Sequence, residues 1–183
     1  MMKNQPPEIL SKKPLAEWLG SITTFKGFTG TRPDQEYENI TWLEACHVIC
    51  PDKPDIIEDK KQGKYFIPCL LKEAPLVGNT LDAAIKNGQP TTGKMRSKYH
   101  VTEASMLVMD IDGLCESDFI VGLNKMANDG LTFLAYTTFS HGSPDKPGMR
   151  VRIVIPVDRP LTSEEYTLAW HGFVQRYWQG ESK

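Results

Sequence analysis

The chain has 183 residues, a net charge of −2 and a pI near 6.1, with 40% apolar and 24% charged residues. This is globular composition, enough to bury a core in one domain or one domain with a small extension. It excludes a protein that coats nucleic acid through bulk positive charge, so any such contact is local or supplied by another part of a longer chain. No apolar run approaches the roughly 18–20 residues of a membrane span or matches a secretory leader, so a cytoplasmic protein with no membrane contact is expected.

Residues 1–13 are polar and Pro-containing and read as a flexible leader; residues 14–183 are expected to form one folded body. A short helix is expected over 15–19. Residues 25–33 carry the Gly, Pro and Thr content of an extended segment and loop. Thr41-Trp42-Leu43-Glu44 matches a capping box, opening a helix to about Ile49. Residues 51–63 read as a charged loop. Residues 64–71 read as a strand, with Pro68 marking an edge or bulge. Asn79 or Thr80 is expected to cap a helix over 81–86, ended by Asn87-Gly88.

The second half is more regular. Residues 105–112 are an apolar run ending in acid before Gly113, the pattern of a buried strand. Phe119, Ile120, Leu123, Met126 and Ala127 recur at helical spacing over 118–128, and Gly130 closes that helix. Residues 132–139 and 150–157 read as two further strands, the second rich in β-branched residues. The short connection 141–148 makes them an antiparallel hairpin. Thr162-Ser163-Glu164-Glu165 is another capping box, opening a helix to about Trp178. Strand, helix, strand, loop, strand, helix describes a mixed α+β fold around one sheet, not an all-parallel arrangement.

Chemistry concentrates at the ends of these strands. Strand alternation puts Asp110 and Asp112 on one face, roughly 7 Å apart, with Ile111 turned to the core. Two acids ending a buried strand repel each other unless a cation lies between them. Mg²⁺ or Mn²⁺ suits carboxylate and phosphate oxygens, and such ions activate an attacking hydroxyl and stabilise a leaving pyrophosphate. The plainer alternative is an exposed strand end before a Gly turn. His141, closing Tyr136-Thr-Thr-Phe-Ser-His141, is placed to meet a phosphate oxygen or donate a proton, or is simply a loop residue. Ser140 has no acid–base partner at triad spacing. Arg150 and Arg152 share a face opposite Val151, Ile153 and Ile155; paired guanidiniums grip a triphosphate, or form the solvated side of an amphipathic strand.

Weaker candidates remain. Lys94, Arg96, Lys98 and Lys146 offer contacts to template or primer phosphates, and Trp170, Tyr177 and Trp178 offer stacking surfaces. Their plainer readings are surface charge and the apolar side of a helix. Cys46, His47 and Cys50 offer zinc ligands but no second close pair follows, so all four cysteines are expected as free thiols.

The order of a hydrophobic strand ending D-x-D, a helix, T-T-x-S-H, a Pro-containing loop and R-x-R-x-x-x-P-x-x-R-P-x-T-x-E-E-Y resembles the archaeo-eukaryotic primases, closest to the primase-polymerases of phages and plasmids. The resemblance covers about residues 94–178. It implies a palm built on an RRM-like antiparallel sheet with flanking helices and an N-terminal α/β extension. Asp110 and Asp112 would be the metal-binding acids of the first motif, His141 with Ser140 would contact the incoming nucleotide, and Arg150 and Arg152 would bind its triphosphate. The implied reaction is template-directed nucleotidyl transfer from an NTP or dNTP to a 3′-hydroxyl in DNA replication. Its partners would be a single-stranded DNA template, a primer and a replicative helicase domain or subunit.

Two departures stand out. Phe139 occupies a place where the family's second motif often has a small residue. The family's third motif supplies another metal-binding Asp beyond the helix that follows R-P-x-T, and the chain is expected to stop before it. Asp158, expected in the turn before that helix, is a poor substitute. A non-catalytic nucleotide- or DNA-binding replication module is therefore a second reading. A third is a haloacid-dehalogenase-like phosphatase, whose nucleophile motif Met109-Asp-Ile-Asp-Gly113 resembles. There Leu114 replaces the usual Thr or Val, and no downstream Lys and acid pair is evident.

Overall fold

The computed structural model describes residues 15–27, 29–53 and 57–178, so the expected leader, residues 1–13, lies outside the described residues. The described residues divide into two compact units: Leu19–Ala104, and residues 105–178 together with 15–18.

Within Leu19–Ala104, strands β1 (Leu19–Phe25), β2 (Gln35–Thr41) and β3 (Tyr65–Ile67) form an antiparallel sheet ordered β2-β1-β3. The helix expected over 15–19 is only a 3-10 turn at Leu15–Glu17, and Leu19 already begins β1. The β-branched run Ile22-Thr23-Thr24 wins because β1 is the central strand and its last four residues are buried. The Thr23 hydroxyl loses no hydrogen bond by burial, since it donates to the Cys69 carbonyl at 2.8 Å.

Helix α1 (Trp42–Ile49) opens on the expected capping box: Glu44 N–H donates to the Thr41 hydroxyl, and Thr41 N–H to the Glu44 carboxylate. The strand expected over 64–71 is shorter, ending before Pro68, and β3 is an edge strand as that proline suggests. A two-stranded hairpin, β4 (Ala74–Pro75) with β5 (Thr92–Gly93), encloses α2 (Gly78–Lys86). That helix starts earlier than expected, capped at Val77 without a side-chain bond, because Leu76, Ala84 and Met95 pack as a small core beneath it.

The second unit has the expected element order. Strand β6 (Ala104–Leu114) leads to α3 (Glu116–Asn128), β7 (Leu134–Thr137), β8 (Met149–Leu161) and α4 (Ser163–Tyr177). The sheet order is β6-β8-β7, and β7 and β8 form the expected antiparallel hairpin. Period-two alternation sends Leu107 and Met109 of β6 and Val151, Ile153, Ile155 and Val157 of β8 to one face. Phe119 and Met126 of α3 and Phe173 and Tyr177 of α4 cover that face as one core. Trp170 and Trp178 pack against the same core, so these aromatics serve as the apolar side of α4.

Strand β8 runs past the expected end at Val157. β7 stops at Leu134 opposite Val154, so Pro156 lies beyond the pairing and its missing N–H costs no bond to β7. The Trp18 indole donates to the Val157 carbonyl at 3.1 Å, and Leu161 is fully buried. The architecture is α+β with antiparallel sheets. Among the described residues no helix is long and apolar enough to cross a membrane.

Candidate functional site

The face of β6-β8-β7 opposite the core changes character along its length. Met106 of β6 and Val154 of β8 are fully buried, whereas Asp110 and Asp112 are exposed and Arg150 and Arg152 half-buried. The charged end thus lies at the C-terminal part of β6 and the N-terminal part of β8.

There the four predicted residues meet directly. Arg152 donates Nε–H and Nη2–H to the two oxygens of Asp110, at 2.6 and 2.9 Å. Arg150 donates Nη1–H to Asp112 Oδ1 at 2.9 Å. The two pairs run in opposite chain directions, as antiparallel neighbours require. The arginine side chains are 18% and 22% exposed and their aspartates 62% and 53%, so the guanidiniums are the sheltered partners. Burial acts to lower the Arg152 pKa, but its hydrogen bond to Asp110 and its interactions with Tyr136 outweigh that and hold it above the ordinary arginine range.

His141 lies at the rim of this cluster. Its Nδ1 accepts the Arg150 backbone N–H at 3.4 Å, so a neutral ring carries its proton on Nε2. The His141 N–H donates to the Thr138 carbonyl at 2.9 Å, and Thr138 N–H donates to the Arg150 carbonyl at 2.8 Å. The turn is therefore tied to β8 at Arg150 on both sides. Ser140 sits within it, half-buried, its carbonyl accepting from Ser143 N–H at 3.3 Å. Phe139 beside it is 52% exposed.

Two glycines bring the acid strand and the loop together. Gly113 has φ +84° and Gly148 φ +86°. A Cβ on Gly148 would lie 2.7 Å from the Gly113 carbonyl carbon and 2.8 Å from its oxygen. This backbone contact lets Asp112 meet Arg150, and only glycine satisfies both the positive φ and the missing side chain.

Sequence reasoning missed Tyr136, which is directly cross-strand from Arg152. The signal was its place two residues from Thr138 on the hairpin, but the register that pairs it with Arg152 depends on the loop geometry. Asp158 is on β8, not in the turn before α4. It lies six residues from Arg152, roughly 20 Å along the strand, and does not join the cluster.

The weaker candidates are drawn elsewhere. Lys94 pairs with Glu36 at 2.6 Å, and the Arg96 guanidinium lies 5.4 and 5.6 Å from the Phe25 and Tyr65 ring centres. Lys146 meets the cluster only through its carbonyl, which accepts Arg150 Nε–H at 3.4 Å. All four cysteines are free thiols, and burial raises the pKa of Cys46 and Cys50. Among the described residues, no group of three or more His, Cys, Asp or Glu side chains stands together as a metal cluster.

Comparison with curated proteins found no match, and comparison with solved structures found none. A protein-family model does match: the VapE N-terminal domain, over residues 77–171, which takes in every residue of the cluster. Because that match spans just over half of the chain, the protein belongs to the VapE N-terminal domain family, a phage- and plasmid-associated domain connected with replication.

Proposed function

We propose that the charged end of the β6-β8-β7 face binds a nucleoside triphosphate with a divalent cation, and that the protein performs primase-polymerase chemistry in phage or plasmid replication. The observation that carries this reading is the interleaving of Asp110, Asp112, Arg150 and Arg152 on one face, with His141 at its rim. The family's connection with replication supports the same setting.

The donor chemistry fits a hard cation. Two carboxylates on one strand face are too few for an all-protein cage, but match an ion that retains water and takes phosphate oxygens. Asp110 and Asp112 would hold Mg²⁺ or Mn²⁺, which when bound supplies charge neutralisation for a polyphosphate and activation of an attacking hydroxyl. Arg150 and Arg152 present forked donors to phosphate oxygens, and His141 offers its Nε2–H. These groups orient the α-phosphate for in-line attack by a 3′-hydroxyl and stabilise charge on the leaving pyrophosphate. A single-stranded template and primer complete the reaction, with a helicase domain or subunit as the replication partner.

One observation favours a second reading, a non-catalytic nucleotide- or DNA-binding module. Among the described residues no third acid or histidine joins the two aspartates as a metal cluster, and both are engaged by sheltered arginines. The same engagement weighs against a phosphatase nucleophile, since both Asp110 oxygens are taken by Arg152.

The test is primer extension on a single-stranded template with Mg²⁺ or Mn²⁺ and either NTPs or dNTPs. Extension that vanishes in Asp110→Asn and Asp112→Asn supports the polymerase reading. Metal-dependent triphosphate binding without pyrophosphate release supports the binding module. Absence of both in a folded protein overturns the site.

A further inference from the structure

The two ion pairs tie the binding of a metal at this face to the binding of a triphosphate. That link rests on the triphosphate reading of this face and adds a coupling to it. We propose that the Asp110–Arg152 and Asp112–Arg150 pairs form a double latch, so that divalent metal and triphosphate each bind weakly alone and strongly together.

The argument is one of partner exchange. In the free protein each side of the site satisfies the other: Arg152 occupies both oxygens of Asp110, and Arg150 occupies one oxygen of Asp112. A cation arriving alone must take those oxygens and leave two guanidiniums, about one-fifth exposed, without their counter-charges. A triphosphate arriving alone must take the guanidiniums and leave two adjacent carboxylates facing each other and the incoming phosphates. Together the ligands exchange two pairs for two pairs. Carboxylates pass to the metal, guanidiniums pass to phosphate, and no charge is stranded.

The latch is built so that opening it is local. The aspartates are the exposed partners, so they can swing away without disturbing the core face of β6. Tyr136 and the His141 turn hold the β8 side in place: Tyr136 is cross-strand from Arg152, and His141 Nδ1 accepts the Arg150 N–H. Coupling between the ligands is reciprocal by linkage and is expected at about tenfold, within the usual range of 5- to 150-fold.

The experiment uses MnCl₂ and dATP with the whole chain, following bound Mn²⁺ by its electron paramagnetic resonance signal and dATP by calorimetry. The variant is Arg152→Lys, which keeps the positive charge but lacks the planar fork that makes two parallel hydrogen bonds to Asp110; circular dichroism checks that it is folded. The latch predicts that Arg152→Lys binds Mn²⁺ alone several-fold more tightly than the parent protein and shows weaker coupling to dATP. Direct association of Mn²⁺ with dATP in solution is common to both proteins and cancels in their comparison. Equal Mn²⁺ affinity in the two proteins, with dATP binding still metal-dependent, would overturn the latch and leave the triphosphate reading standing. No binding of Mn²⁺ and dATP, alone or together, would overturn both.

Discussion

Tyr166 offers the sharpest test of how the acid-bearing strand is held. β6 is an edge strand of its sheet, and its outward polar groups need partners that β8 does not supply. The Tyr166 hydroxyl accepts the Val108 N–H at 3.1 Å and donates to the Val108 carbonyl at 3.1 Å. One side chain thereby does for Val108 what a neighbouring strand would do. Tyr166→Phe keeps the ring, which packs on the core, and removes only the hydroxyl. Two hydrogen bonds at about 0.5–1.5 kcal/mol each give a loss of about 1–3 kcal/mol. Val108 is half-buried, so water recovers part of this, and about 1–2 kcal/mol is expected. Urea denaturation should show a lower midpoint with an unchanged slope. Exchange of the Val108 amide should accelerate by roughly 5- to 30-fold. Unchanged Val108 exchange, with stability shifted by less than about 0.3 kcal/mol, would refute the edge-pinning argument.

Three further perturbations probe other parts of the second unit. Gly148→Ala should cost about 2 kcal/mol or more, because its Cβ meets the Gly113 backbone at positive φ, whereas Gly130→Ala, with φ +75° and open space, should cost about 1 kcal/mol; equal thermal shifts in the two variants would be inconsistent with this. The Glu165 carboxyl is held down at about 2, first by Arg159 and then by the Thr162 backbone N–H. Its contribution to stability is therefore complete above the unfolded Glu value of about 4.3 and is lost as pH falls through about 2; a Glu165 carbon-13 midpoint in the ordinary range would contradict it. The Tyr177 phenol is pushed up to about 12, by burial first and then by its hydrogen bond to Asp129. Its contribution is present below the unfolded value of about 10 and is lost as pH rises through about 12, and Asp129→Asn should lower the Tyr177 midpoint seen by NMR.

Legibility differed between the two halves for identifiable reasons. β6, α3, β8 and α4 bury one face against a shared core, so Leu107, Met109, Phe119, Met126, Val151 and Ile153 printed their periods in the sequence. β1 and β2 did not. β1 buries Ile22, Thr23, Thr24 and Phe25 in succession, and β2 exposes nearly every residue, so neither shows an apolar alternation. The candidate cluster was legible residue by residue because strand parity alone puts Asp110 with Asp112 and Arg150 with Arg152. What parity cannot give is the register between strands. That register decides that each acid faces an arginine, that Tyr136 faces Arg152, and that Gly113 meets Gly148.

The segment from Arg159 to Tyr166, which closes the R-x-R-x-x-x-P-x-x-R-P-x-T-x-E-E-Y stretch of the resemblance, has a structural role. Arg159 grips both oxygens of Glu165 at 2.6 and 3.0 Å, Thr162 and Glu165 close the capping box, and Tyr166 pins Val108. None of these residues belongs to the charged cluster. They fix the β8–α4 corner and, through Tyr166, the edge of the strand that carries Asp110 two residues further on. Loss of the Tyr166 hydroxyl therefore acts on the site through the position of β6, shifting both aspartates relative to Arg150 and Arg152 while all four charged side chains are retained. That separates two kinds of defect. Loss of Asp110 or Arg152 removes a partner, whereas loss of the Tyr166 hydroxyl loosens the register on which the partner exchange depends.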